Sequence, residues 1–218
     1  VQYVFTPEFC EELHLNYSTE LSEWKQWTQE VGDGQYENGN RRFAVFTSAG
    51  DYSLVMEWLQ CSNVSVKRNW DLLINFYGDD VENEEIKLRS LADGFRNHTG
   101  MKFDALADWV AEDSDVLNDS NGRPYLAVAV LDDDLGNANI GKINALFETL
   151  MFEELLWLSP TWTGQEWNLV NHPQNDSWYR HQSWFDMGFL VFRATALKAY
   201  LDAHPSFLNG ECEDTWAG

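Results

Sequence analysis

The sequence predicts an α/β protein with a mostly parallel central sheet flanked by helices, and three observations carry that expectation. Apolar, β-branched and aromatic segments alternate with segments of helical period along most of the chain. One segment, Leu126–Leu131, is a six-residue apolar run without a polar face, as in a strand covered on both sides. That run leads directly into Asp132-Asp133-Asp134. In open α/β sheets ligands bind beyond the carboxyl ends of the strands, so an acidic triplet there is a candidate metal site.

The elements follow in order. A helix falls within Leu13–Trp27, where Leu21, Trp24 and Trp27 share a face, and Gly32–Gly34 and Glu37–Asn40 are turn chemistry. Arg42–Thr47 reads as the first core strand, Ser48–Asp51 as a tight turn and Tyr52–Gln60 as a helix. Trp70–Tyr77 is the second strand, ending in Gly78-Asp79-Asp80. Helices are expected over Glu84–Phe95 and Phe103–Val110, and the third strand over Tyr125–Leu131. A long apolar helix over Asn144–Leu155 leads to a short strand at Leu156–Pro160. Thr161–Gln182 has no clean period and reads as loop or edge hairpin. Trp184–Phe192 reads as a strand, Ala194–Asp202 as a helix and Ser206–Gly218 as loop. Residues 1–40 form an N-terminal extension to a domain over 41–218, and the abrupt ends suggest a piece excised from a longer protein.

Composition narrows the function classes. With 44% hydrophobic and 15% aromatic residues the 218-residue chain has the means to bury a sizeable core. A formal net charge of −22 argues against nucleic acid or an anionic membrane as partner, since both are held by Lys and Arg. A chain this acidic needs a cation to hold an anionic ligand, although solubility or salt adaptation accounts for the bulk charge equally well. No apolar run reaches 18 residues, so no span is expected. Cys10, Cys61 and Cys212 allow one disulfide whose partners the spacing leaves open. Five sequons, at Asn16, Asn63, Asn97, Asn118 and Asn175, lean toward a secretory, Golgi-like lumen.

The order of these parts resembles the GT-A-fold glycosyltransferases, whose aspartate-x-aspartate motif binds a metal and a nucleotide sugar. A first strand ends in Thr47-Ser48-Ala49-Gly50-Asp51, a second in Gly78-Asp79-Asp80, and a helix carrying Lys102 precedes the strand that ends in the triplet. Asp132 and Asp134 match the two acids of the motif, and Thr99–Phe103 resembles the turn-Lys-helix that precedes it in several families. Phe147–Pro160 and Trp184–Leu197 resemble an uncharacterised plant and bacterial family of this fold and small glycosyltransferase domains of large algal viruses. The resemblance spans residues 42–214. It implies a GT-A-like domain that moves a sugar from a UDP- or GDP-linked donor to a glycan or other hydroxyl acceptor, with Mn²⁺ or Mg²⁺.

The residues take roles within that expectation. Carboxylate oxygens suit hard divalent ions, with Asp134 coordinating directly and Asp132 acting through water or on the ribose. Thr47, Ser48, Ala49 and Asp51 are candidates for the nucleotide cradle, although Asp51 or Ser53 serves equally well as a helix cap. Asp79 is a candidate for base or ribose, Asp133 for the nucleotide, and Lys102 for the diphosphate as a point charge. Glu213 and Asp214, after Gly210, resemble the acidic pair that carries the base in many inverting members. Asp214 is preferred to Asp186, whose apolar surroundings favour a raised pKa. His172 and His181 are further candidates for metal or diphosphate, and Trp162, Trp167, Trp178 and Trp184 for stacking on an acceptor sugar. The alternative class is a non-catalytic carbohydrate-binding or interaction domain built on those tryptophans.

Overall fold

The computed structural model describes residues 19–30, 40–60, 66–78, 82–100, 102–135, 138–152, 157–158 and 189–203. Within them, the strands are β1 (Phe43–Ala49), β2 (Trp70–Phe76), β3 (Gly94–Asn97), β4 (Ala127–Asp132), β5 (Trp157–Leu158) and β6 (Phe189–Arg193). They form one six-stranded sheet in the order β3-β2-β1-β4-β6-β5. The first four neighbours run parallel, whereas β6 is antiparallel to both β4 and β5. The helices are α1 (residues 19–30), α2 (Tyr52–Gln60), α3 (Glu82–Leu91), α4 (Lys102–Glu112), α5 (Ile140–Phe152) and α6 (Ala194–Ala203). The expected α/β class with a mostly parallel, helix-flanked sheet is therefore present.

Alternate residues of each strand supply the two faces. Phe43, Val45, Leu72, Ile74, Ala129 and Leu131 pack beneath side chains of α1, α2, α3 and α5. Ala44, Phe46, Leu73, Val128 and Val130 pack against α4, α6 and the 3₁₀ turn Ser114–Leu117. Both faces being covered explains why all seven residues of β1 and of β2 are buried, and why neither strand alternates in polarity. On the first face the Phe43 ring stacks on Phe147, 4.6 Å between centroids and 2° from parallel. Full burial of a side chain of that size stabilises by roughly 1.5–3 kcal/mol.

The helix α1, inside the segment read as an extension, joins this core. Trp24 and Trp27 are buried in it, and Trp27 Nε1 donates to Asn40 O at 2.6 Å. Its acids reach two strands: Glu23 accepts from Arg42 at 3.0 Å and Glu20 from Arg193 at 3.0 Å.

Several element boundaries depart from expectation, among them the end of β1, which takes in Ser48 and Ala49 of the expected turn. The helix expected over Glu84–Phe95 stops at Leu91, and the chain enters β3 at Gly94. The reason is tertiary: Asp93 N donates to Leu72 O at 2.8 Å, Leu72 N donates back to Asp93 Oδ2 at 2.8 Å, and the pair pins the chain to the sheet. Glycine follows, and a Cβ on Gly94 would lie 2.7 Å from Leu73 Cδ2, so a larger residue there would displace that side chain. The acid-ended strand is thus the fourth in the chain, not the third. The helix expected from Asn144 begins at Ile140, since Asn139 Oδ1 accepts from Lys142 N at 3.0 Å as its cap. The strand expected over Trp184–Phe192 is seen as β6, with residues 184–188 outside those described. No helix among the described residues is long and apolar enough to cross a membrane.

Candidate functional site at the carboxyl edge of the sheet

From β1 the chain winds to β2 on one side, and β4 lies on the other. The sheet order therefore reverses between β1 and β4, which is where open α/β sheets form a ligand crevice. Ser48–Gly50 lies on one bank and Asp132–Asp134 on the other. A hydrogen bond from Gly50 N to Asp133 Oδ2, at 3.3 Å, joins them.

A polar row crosses three strands here. Ser48 is registered with Asn75 of β2 and with Asp132 of β4, and all three face α4. Ser48 Oγ accepts from Lys102 N at 2.8 Å, and Asn75 Nδ2 donates to Gly100 O at 2.8 Å. These bonds fix the turn that starts α4. Lys102 has φ of +42°, a left-handed conformation that costs a non-glycine residue about 1 kcal/mol or more. The surroundings hold it there, and its ammonium lies 2.7 Å from Asp132 Oδ1. Both side chains are partly buried, at 17% and 29% exposure, so solvent screens this pair less than a surface pair.

The three acids go to three places. Asp132 faces Lys102. Asp133 turns inward, its carboxylate on Gly50 and its carbonyl accepting from Trp58 Nε1 at 3.2 Å. Burial first, then the charges of Asp134 and Asp132, raise the Asp133 pKa, opposed by the Gly50 bond. Asp134 is exposed. Among the described residues no three His, Cys, Asp or Glu side chains are grouped as a metal site would need. The donor chemistry of Asp132 and Asp134 nonetheless suits a hard cation, because both offer carboxylate oxygen at the open end of the strand.

The other candidates distribute as follows. Thr47 and Ala49 are buried, with the Thr47 hydroxyl lacking a hydrogen-bond partner among the described residues. Asp51 Oδ1 accepts from Ser53 N at 2.7 Å and Ser53 Oγ at 2.6 Å, so it caps α2 while staying exposed beside the crevice. These two bonds, led by the hydroxyl, lower its pKa. Asp79, Asp186, Glu213, Asp214, His172, His181 and the four tryptophans from Trp162 to Trp184 lie outside the described residues.

Two residues at the site escaped sequence reasoning. Asn75 sits inside an apolar strand, and a buried amide there is itself a signal, because it needs partners. Tyr77, directly after β2, donates its N–H to Ala49 O at 3.3 Å. Burial, then the charges of Asp133, Asp134 and Asp132, raise its phenol pKa, which places the hydroxyl in the field of the triplet.

No protein-family model matches the chain, and no curated protein matches it. Among solved structures, mouse xyloside xylosyltransferase 1 in its apo form is similar over 81% of this chain and 72% of that chain, at 14% identity and a TM-score of 0.34.

Proposed function

We propose that the crevice between β1 and β4 binds a nucleoside-diphosphate sugar and that the protein transfers the sugar to a hydroxyl acceptor. The observation that carries this reading is the Asn75–Ser48–Asp132 row with Lys102 at its end: it puts a positioned cation, paired with Asp132, beside the exposed Asp134 at the switch point of the sheet. In such a transfer the bond from sugar C1 to the diphosphate oxygen breaks, the acceptor oxygen bonds to C1, and the acceptor proton passes to a base. The Lys102 ammonium, held by its turn, meets the diphosphate and stabilises the charge it gains on leaving. The turn Ser48–Asp51 takes the nucleoside, with Asp79 as a further contact to base or ribose. Asp214 is the proposed base, with Glu213 and Asp186 as the other candidates. Asp134 with Asp132 would hold Mn²⁺ or Mg²⁺, which when bound neutralises diphosphate charge.

Thermal unfolding with UDP, GDP or ADP, each with and without Mn²⁺, tests the reading. A nucleotide that binds the folded state at a hundred times its Kd adds about 2.7 kcal/mol and raises Tm. Asp134→Ala is expected to keep the fold and to lose the metal-dependent part of that rise. If no nucleoside diphosphate moves Tm under either condition, the reading fails.

A further inference from the structure

The amino edge of the sheet carries an open cavity, of about 490 Å³, where the ends of α2 and α3 and the start of α5 meet the segments leading into β1 and β2. That size lies within the range of small-molecule sites. Its walls are apolar, from Met56 and Leu59 of α2, Leu91 of α3 and Ile140 of α5. Its charged lining residues among those described are Arg41, Lys67 and Arg68, all basic. In a chain with 14 basic and 36 acidic residues, a cavity wall with three basic residues and no acid among the described residues departs sharply from composition.

The acids of this region are turned away and engaged. Asp93 accepts from Arg68 at 3.0 Å and Arg41 at 3.2 Å, and Asp71 accepts from Arg41 at 3.1 Å and from Tyr125 Oη at 2.9 Å. Three basic side chains against two carboxylates leave one positive charge in excess, at Lys67, which is exposed and makes no ion pair with a described residue. The Arg68 guanidinium is further fixed over the Trp70 ring, 5.5 Å from its centroid.

From the cavity and its one-signed rim we infer a binding site for a small organic anion with an aliphatic body, a carboxylate or a phosphate monoester. The head group meets Lys67 and Arg68, and the body lies on Met56, Leu59, Leu91 and Ile140. The site stands at the opposite edge of the sheet from the crevice, so it does not depend on the proposed transferase reading.

Titration of the whole chain with octanoate, octyl phosphate, inorganic phosphate and octylamine, read at the methyl resonances of Met56 and Ile140, tests this. Octanoate or octyl phosphate is expected to shift both methyls saturably, and the tighter of the two identifies the head group. Inorganic phosphate and octylamine are expected to leave them in place. Lys67→Glu should weaken binding about tenfold, a charge reversal at an exposed position that the fold tolerates. Ser90→Trp, which narrows the cavity, should abolish it. No methyl shift with either amphipathic anion, an equal response to octylamine, or undiminished binding in Lys67→Glu would overturn the inference.

Discussion

The two edges of the parallel sheet treat charge in opposite ways. At the amino edge, Arg41, Asp71, Asp93 and Tyr125 close a buried network in which both carboxylates accept from several donors. At the carboxyl edge, three acids stand side by side with Lys102 against one of them. The first arrangement ties the starts of β1, β2, β3 and β4 together, with each carboxylate shared between two or more donors. The second keeps like charges close, and these add to burial, the larger cause, in raising the pKa of Asp133 and of Tyr77. Unfavourable fields of this kind gather where a ligand relieves them.

Breaking the closed network should give the largest effect. Asp71→Ala takes from Arg41 and Tyr125 their shared partner while Arg41 keeps Asp93, so a cost of about 3 kcal/mol, the low end for a broken buried pair, is expected in urea unfolding. A cost below about 1 kcal/mol would mean that water reaches this edge. At the open edge, Ser48→Ala removes the acceptor of Lys102 N and should cost roughly 1–3 kcal/mol, with a lowered nucleotide affinity because the turn relaxes from φ of +42°. The smallest effect has the opposite sign. Asp133→Asn keeps an acceptor for Gly50 N while removing a half-buried charge, so a gain in stability is expected at neutral pH, smaller than either loss above.

The pH dependence of that last gain follows from linkage. The folded state holds the Asp133 proton to higher pH than the unfolded chain does, so it binds more protons between the two pKa values. Stability from this group therefore grows as pH falls through that window and is lost as pH rises through the folded value. The advantage of Asp133→Asn should accordingly vanish in acid. Parallel unfolding curves for both proteins across the acid range check this, and a gain that persists at low pH would assign it to something other than the charge.

Much of the sheet was legible in the sequence because its strands are covered on both faces. β4 is a continuous apolar run up to Asp132, and β1 and β2 are mostly apolar with only a few polar residues among them, patterns that admit few other readings. β3 was not legible. Gly94–Asn97 is short and only half-buried, and what makes it a strand is the bond pair between Asp93 and Leu72, 21 residues apart. The antiparallel direction of β6 left no mark either, since strand periodicity is the same in both directions. At the site, the triplet and Lys102 were readable as residue types, but their 2.7 Å contact was not. It depends on the register of Ser48 with both Asn75 and Asp132, which local pattern does not encode. The proposed base, at Asp214, Glu213 or Asp186, lies outside the described residues.

The helix over residues 19–30 bears on where this fold can be cut. Glu20 meets Arg193, whose side chain has no exposed surface, and Glu23 meets Arg42, so one helix neutralises buried cations at β6 and at the entry to β1. A fragment starting at residue 40 would strip Trp24 and Trp27 from the core and remove one carboxylate partner each from Arg193 and Arg42. The border of the cooperative unit therefore lies before Glu20, and proteolysis that removes α1 should release not a trimmed domain but an unfolding one.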